Sequence, residues 1–412
     1  VDIHIGAGRR VAAALLLLGT WLAVTAVPAG AASAASASWA IVTTPDVGSA
    51  QGNAMDGVSC AKAQSTFCMA VGGYYTGTNP AIKHTEVQQW NGTAWKIVKS
   101  PNAAGADVVS NFLGGVSCPT TKFCMAAGSY TQTNGLPDQA LIEKWNGTAW
   151  SIVRSPDLTG VSNDLTSVSC VSASFCMAAG YTFNSSFVEQ TLVEKWNGTS
   201  WSIVSSPDTG ASEDNFLWGV SCPATSFCMA DGYYDGPGGN QLTLIEKWAG
   251  GKWKISTSPN PSPAASPALD SLWSVSCVSS QFCMAAGDYW NTADVKQTLI
   301  ERWSGTTWQI VKSPDTSAAQ DNGLYSGVSC ASTGFCMDAT FAASTSGFNQ
   351  TLIMQWAGSS WTIVPSKNTS SSQNNQLQAA SCPTTAFCLA VGQYQNVISG
   401  KLVMQNLAER WH

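Results

Sequence analysis

The sequence predicts an all-β fold, a seven-bladed β-propeller with four antiparallel strands to a blade, and three observations predict it. First, the frame at residues 114–156, GGVSCPTTKFCMAAGSYTQTNGLPDQALIEKWNGTAWSIVRSP, recurs seven times. Its first cysteines fall at Cys60, Cys118, Cys170, Cys222, Cys277, Cys330 and Cys382. Self-similarity at such a period marks a stacked or circular repeat. Second, each copy holds four short apolar runs separated by turn residues, with no helical period. Third, the copies are split between the two ends. The last reaches only its third run, at Glu409-Arg410-Trp411, whereas Trp39-Ala40-Ile41-Val42 is a fourth run with no copy before it. Pairing of these pieces closes the ring and covers an otherwise open sheet edge.

In chain order, Arg9 and Arg10 precede an apolar run over residues 11–27, and small residues follow to Ala35-Ser36-Ala37. That order is expected of a secretory signal, assigned to residues 1–37, with general secretion and twin-arginine export both open. The propeller is assigned to residues 38–412, with repeats starting near 55, 113, 165, 217, 272, 325 and 377.

Within the second copy, residues 113–118 read as a first strand and residues 123–130 as a second, rich in apolar and aromatic side chains. A polar loop leads to a third strand at residues 140–145, and Asn146-Gly147 reads as a two-residue type I′ turn into a fourth at 149–153. That turn sets Trp145 and Trp150 diagonally on one sheet face. Ser155-Pro156 closes the unit, since proline cannot donate to a further ladder.

All 14 cysteines fall in pairs in register with the repeat: Cys60-Cys68, Cys118-Cys124, Cys170-Cys176, Cys222-Cys228, Cys277-Cys283, Cys330-Cys336 and Cys382-Cys388. On an exported chain this predicts seven local disulfides stapling the first hairpin of each blade, each contributing roughly 2 kcal/mol on the chain-entropy model. Zinc spacings such as C-x2-C are absent, so no metal is expected.

Charge is low, 19 Lys+Arg against 25 Asp+Glu, with no basic stripe of the kind nucleic acid requires. Beyond the export segment the histidines are His84 and His412, and no nucleophile-elbow, zinc-protease or phosphate-loop motif occurs. No cofactor and a monomeric state are expected. The glutamates Glu143, Glu194, Glu246, Glu301 and Glu409 recur at one position, which points to a repeated bond with a neighbouring strand rather than to catalysis.

With the repeat and the turn Asn146-Gly147-Thr148-Ala149-Trp150 in view, the chain resembles secreted propellers of the Kelch, galactose-oxidase-like and sialidase-repeat kind. The turn looks like the end of an Asp-box hairpin, with Trp145 where the box aspartate belongs. A sialidase would need an arginine triad and a galactose-oxidase-type site its histidines, and neither set is present. The WNGTxWxIVxSP ending also resembles cysteine-paired repeats of exported bacterial proteins, which implies no activity.

Loops between strands two and three and between blades are long and differ between copies, as at residues 75–82, 235–241, 260–269 and 369–376. Alternation along the meander puts both loop classes on one face, where a ligand site is expected. Seven residues before each first cysteine stands Asn53, Asn111, Asn163, Asn215, Asp270, Gly323 (with Asn322 beside it) or Asn375. These read either as Asx-turns shaping the chain or as a ring of polar groups at the channel mouth. Trp218, Trp273 and Trp290 do not recur in every copy, and with Tyr234, Tyr289, Asn215 and Asp270 they form the candidate ligand site. Aromatic faces beside amides and carboxylates suit sugars; packing between blades four, five and six is the competing reading. The expected function is a secreted, non-catalytic module binding extracellular carbohydrate or cell-envelope ligands. An extracellular protein–protein scaffold is the alternative, and a glycoside hydrolase or lyase using loop carboxylates such as Asp214 and Asp270 is a third.

Overall fold

The computed structural model describes residues 37–412 except 49, 78–81, 105–107, 134–135, 262–267, 324 and 326, so the expected export segment lies outside the described residues. The described residues form seven four-stranded antiparallel sheets, each built as the second is: Val108–Thr120, Phe123–Gln132, Gln139–Trp145 and Trp150–Val153, in that order from the centre outward. The first and second sheets also touch through a single parallel bridge, Lys83 to Ser110. The seventh sheet takes Asn375–Thr384, Phe387–Ile398 and Lys401–Trp411 from the end of the chain and is completed by Trp39–Ile41. Trp39 stands opposite Trp411 and Ile41 opposite Glu409, so the expected closure is realised strand on strand.

What draws seven sheets into a ring is visible on their innermost strands. A serine precedes the first cysteine of every copy, and its Oγ accepts the N–H of the corresponding cysteine in the next blade. Cys118 donates to Ser59 at 3.0 Å, Cys170 to Ser117 and Cys222 to Ser169 at 2.9 Å, and Cys277 to Ser221 at 2.9 Å. Cys330 donates to Ser276 at 3.0 Å, Cys382 to Ser329 at 2.9 Å, and Cys60 returns to Ser381 at 2.9 Å. The girdle is complete. Two residues before each of these serines stands a small residue: Gly57, Gly115, Ser167, Gly219, Ser274, Gly327 or Ala379. A Cβ on Gly57 would lie 2.8 Å from the Gly114 carbonyl oxygen, and one on Gly327 would lie 2.5 Å from the Ala379 Cα. The inner backbones are too close for larger groups.

The apolar cores lie between blades. Met69, Val71 and Val87 of the first pack with Leu113, Ala126 and Trp145 of the second, and Leu389 and Val391 of the seventh pack with Met55 and Trp90 of the first. All seven expected disulfides are present and join strands one and two of each blade.

The outer hairpin differs from the expected one. Trp145 pairs directly with Trp150, ring centroids 5.9 Å apart, rather than diagonally, and the connection is a four-residue turn in which Asn146 N–H donates to the Ala149 carbonyl at 3.2 Å. Gly147 alone has positive φ, at 100°. The asparagine stays out of the left-handed region because its Oδ1 accepts the N–H groups of Thr148 and Ala149, at 2.9 and 3.0 Å. A two-residue loop with positive φ at both positions occurs in the fourth blade, where both residues are glycine, Gly250 and Gly251.

The recurrent glutamates bond across blades as expected, and their partner is the serine of the preceding Ser-Pro. Ser100 Oγ donates to Glu143 at 2.8 Å, Ser155 to Glu194 at 2.6 Å, Ser206 to Glu246 at 2.6 Å and Ser258 to Glu301 at 2.8 Å. Glu409 accepts the Lys367 N–H at 3.0 Å instead. Burial pushes these carboxyls up, to about 8 for Glu143, Glu246 and Glu301 and about 7 for Glu194 and Glu409. The unfolded chain would ionise them near the ordinary glutamate value of about 4.3. Below that value both states keep the proton; between it and about 8 the unfolded state alone gives it up, so stability falls as pH rises. Thermal melts are expected to show a lower Tm at pH 9 than at pH 5, with a shallower decline in Glu143→Gln, the residue type the first blade carries as Gln88. A Tm that climbs over this range would contradict the assignment.

Candidate functional site

Each inner strand whose register is described through this region carries a β-bulge at one place, four residues before its first cysteine. The pairing jumps from Met55 to Gly57, Leu113 to Gly115, Leu165 to Ser167, Leu217 to Gly219, Leu272 to Ser274 and Leu377 to Ala379. A bulge adds a residue that the ladder does not use and re-aims its side chain. The skipped residues are Asp56, Gly114, Thr166, Trp218, Trp273 and Gln378, and all six line one depression at the mouth of the central channel, together with Phe112 and Tyr325. The opposite mouth is ringed by Cys60, Cys118, Cys170, Cys222, Cys277, Cys330 and Cys382. One mouth is stapled and uniform; the other is chemically varied.

Aromatic side chains dominate the varied mouth on the side of blades three to six. Trp218 and Trp273 lie 5.3 Å apart between ring centroids, and Tyr325 is 5.1 Å beyond Trp273. Phe216 stacks parallel to Trp218 at 6.4 Å and contacts Tyr233 at 4.7 Å and Tyr181 at 5.0 Å. Tyr325 holds a left-handed backbone, φ 55°, and is half exposed. The Trp273 indole N–H donates to Asp288, whose other oxygen pairs with Lys296 at 3.5 Å; the Trp218 indole N–H has no partner.

Charge is arranged asymmetrically around these rings. On the side of blades one and two, Asp56 faces Lys83, whose ammonium sits 3.8 Å over the Phe112 ring. Burial raises Asp56 to about 6, with Lys83 opposing the shift. On the side of blades three and four the charges are carboxylates. Glu189 is raised to about 7 by burial first and then by Asp214, Asp235 and Asp164. Asp214 is tied into the hairpin, its Oδ1 accepting the Glu189 N–H at 2.8 Å and its carbonyl the Asp235 N–H at 2.8 Å. The same carboxylates surround two phenols: Asp164 and Glu189 act on Tyr181, and Asp235, Glu189 and Asp214 on Tyr233.

The seven residues singled out from the sequence do not all meet here. Trp218 and Trp273 line the mouth. Trp290 ends the second strand of its blade, with Lys296 Nζ 5.7 Å over its ring. Tyr234 and Tyr289 stand opposite Asn215 and Asp270 in the ladders and pack against inter-blade cores. Asn215 and Asp270 are fully buried. Asn215 Oδ1 accepts the Thr209 N–H at 2.9 Å and its Nδ2 donates to the Glu213 carbonyl at 2.6 Å, and Asn53, Asn111, Asn163 and Asn375 likewise accept backbone N–H groups of the chain ahead of them. In the sixth copy Asn322, not Gly323, does this, taking the Thr316 N–H at 2.8 Å.

Sequence reasoning passed over Asp56, Phe112, Asp164, Tyr181, Glu189, Phe216 and the bulge itself. A signal was present: four residues before each first cysteine the copies read Asp, Gly, Thr, Trp, Trp, Ser and Gln, inside a frame that otherwise repeats. Asn215→Ala is expected to lower stability by about 1–3 kcal/mol, because it strands buried backbone groups, while leaving ligand binding at the mouth unaltered. Denaturant unfolding alongside a binding assay checks this, and lost binding by a fully folded variant would restore Asn215 as a ligand contact.

No protein-family model and no curated protein matches the chain. Among solved structures it is similar to YCF48 bound to a D1 peptide, at 9% identity over 90% of this chain and 96% of that one, TM-score 0.48. It is also similar to an ulvan lyase of polysaccharide lyase family PL25, at 10% identity over 86% and 94%, TM-score 0.48. A third is the β-propeller domain of the Trilobed protease from Pyrococcus furiosus, at 8% identity over 85% and 96%, TM-score 0.48. The chain's own ring of four-stranded sheets supports the resemblance to Kelch, galactose-oxidase-like and sialidase-repeat proteins at the level of the β-propeller fold alone. Among the described residues no helix is long and apolar enough to cross a membrane.

Proposed function

We propose that this chain is an exported binding module that takes an extracellular carbohydrate or cell-envelope ligand at the bulge-lined mouth of its channel. The observation that carries the reading is the bulge: in each of the six blades described through this region one residue is released from the ladder to face the mouth, and that residue changes from copy to copy. A purely structural ring has no use for such variety, since the flanking positions repeat. Trp218 and Trp273 offer broad apolar faces to sugar C–H surfaces, and Asp56, Thr166 and Gln378 offer hydroxyl partners around the same depression. Seven disulfides suit an oxidising, extracellular setting, in keeping with the basic and apolar N-terminal segment.

The test is a glycan array carrying cell-wall polysaccharides, probed with oxidised protein and with Trp218→Ala. Trp218 is the cleaner substitution, because its indole N–H has no partner to strand. Truncating a central aromatic contact costs roughly 2 kcal/mol or more, so affinity is expected to fall about thirtyfold with the melting profile preserved. A blank array with folded protein would overturn the carbohydrate reading.

A further inference from the structure

The aromatic cluster and the carboxylates are parts of one surface, and their combination narrows the ligand. Rings run without interruption from Phe183 through Tyr181, Phe216, Trp218 and Trp273 to Tyr325, with successive centroids 5.0–6.4 Å apart. Along the blade-three and blade-four edge of this platform stand Asp164, Glu189, Asp214 and Asp235. Asp164 is paired with Tyr181 in the ladder, Glu189 with Phe183, and Asp235 lies two residues beyond Tyr233 on the same strand. Lys83 and Lys296 serve other carboxylates, Asp56 and Asp288. No three of the described carboxylates converge to ligate a single ion, so the arrangement does not fit a compact metal. It fits an extended organic cation, which aromatic faces attract through their quadrupoles and carboxylates through charge.

We infer that the occupant of this mouth is a cationic glycan, an oligosaccharide of hexosamine units with free amino groups, its ring faces on Trp218 and Trp273 and its ammonium groups toward Glu189, Asp214 and Asp235. This rests on the glycan-binding reading above and adds the charge. An acetylated amine would lose the charge while keeping the sugar ring, so one acetyl group separates the two claims.

The experiment compares glucosamine hexamer with N-acetylglucosamine hexamer by calorimetry on oxidised protein, at about 0.05 M and 0.2 M salt, where screening lengths differ about twofold. The glucosamine hexamer is expected to bind at least tenfold more tightly, with the advantage shrinking at the higher salt. In Glu189→Gln/Asp235→Asn that advantage should disappear while binding of the acetylated hexamer stays as it was. Equal binding of the two hexamers by the unmodified protein would overturn the inference and leave the glycan reading standing. Binding of neither would overturn both. A lysine hexapeptide binding as tightly as the glucosamine hexamer would also overturn it, by showing that charge alone is recognised. The first comparison uses no variant, so it decides the matter even if the double substitution impairs folding.

Discussion

The hydrogen bond from each inner-strand cysteine N–H to the serine Oγ of the preceding blade requires seven backbones to converge around one axis. Individually such bonds contribute about 1 kcal/mol. Their weight lies in what they exclude. Nothing larger than a methyl or hydroxymethyl group fits between neighbouring inner strands, so Gly, Ser or Ala stands two residues before every one of these serines. Thr166 tightens the same contact, its Oγ1 donating to the Leu217 carbonyl of the next blade at 2.8 Å. The Trp pairs on the outer hairpins do the complementary work at the rim, filling the space that opens as blades diverge. Their spacing barely changes from blade to blade: the closing pair Trp39 and Trp411 is 5.9 Å apart, as are Trp145 and Trp150.

A ring built on such close contact has few positions at which to vary. Core positions face another blade, the residues at the inner strand-to-strand contact must be small, and the disulfide hairpins occupy one mouth. Within the inner strands, the bulge supplies the freedom that remains. It lifts one residue out of the ladder in each of the six blades described through this region and sets it toward the axis, where side chains of different size and charge are accommodated. Asp, Gly, Thr, Trp and Gln therefore coexist at structurally equivalent places. Seven copies of one frame act as an internal comparison, and within the inner strands the candidate site is where the copies disagree.

That logic explains how far the sequence could be read. The blade count, the strand order, the closure through Trp39 and the cysteine pairing followed from repetition, because each is imposed identically on every copy. Asn215 and its equivalents could be picked out as a repeated set, yet whether amides shape loops or face a ligand depends on which way they point, and in the structure Asn53, Asn111, Asn163, Asn215 and Asn375 turn to backbone N–H groups. The turn at Asn146-Gly147 was misread because a side-chain acceptor can substitute for positive φ, a choice the dipeptide does not reveal. The bulge was invisible for a further reason: an extra residue at the same place in copy after copy leaves the period unchanged. Without the register, Trp218 and Trp273 could be named, but Phe112 and Asp164, two residues before bulged positions, could not be joined to them.

The fold departs from its own rules most in the sector that carries the aromatic residues. Blades four, five and six each bury an aspartate on the second strand: Asp231, Asp288 and Asp338. Asp231 stands where other copies have Ala127, Ala179, Ala286, Ala339, Val71 or Val391, and Asp338 where they have Ala126, Ala178, Ala230, Ala285, Ala390 or Ala70. Burying a carboxyl in place of a methyl costs stability, and burial holds Asp231 far above the usual carboxylate range. Its Oδ1 lies 2.2 Å from where a Cβ on Gly219 would be, so the acid requires the glycine beside Trp218. Asp288 takes the Trp273 indole N–H directly. Buried acids that brace the inner strands from behind are an expense without return in a scaffold that repeats well without them. They make sense where the residues in front must be held in place, and local rules are broken most often at sites that serve function. The cost therefore falls where the mouth is aromatic, which is independent ground for placing the ligand there.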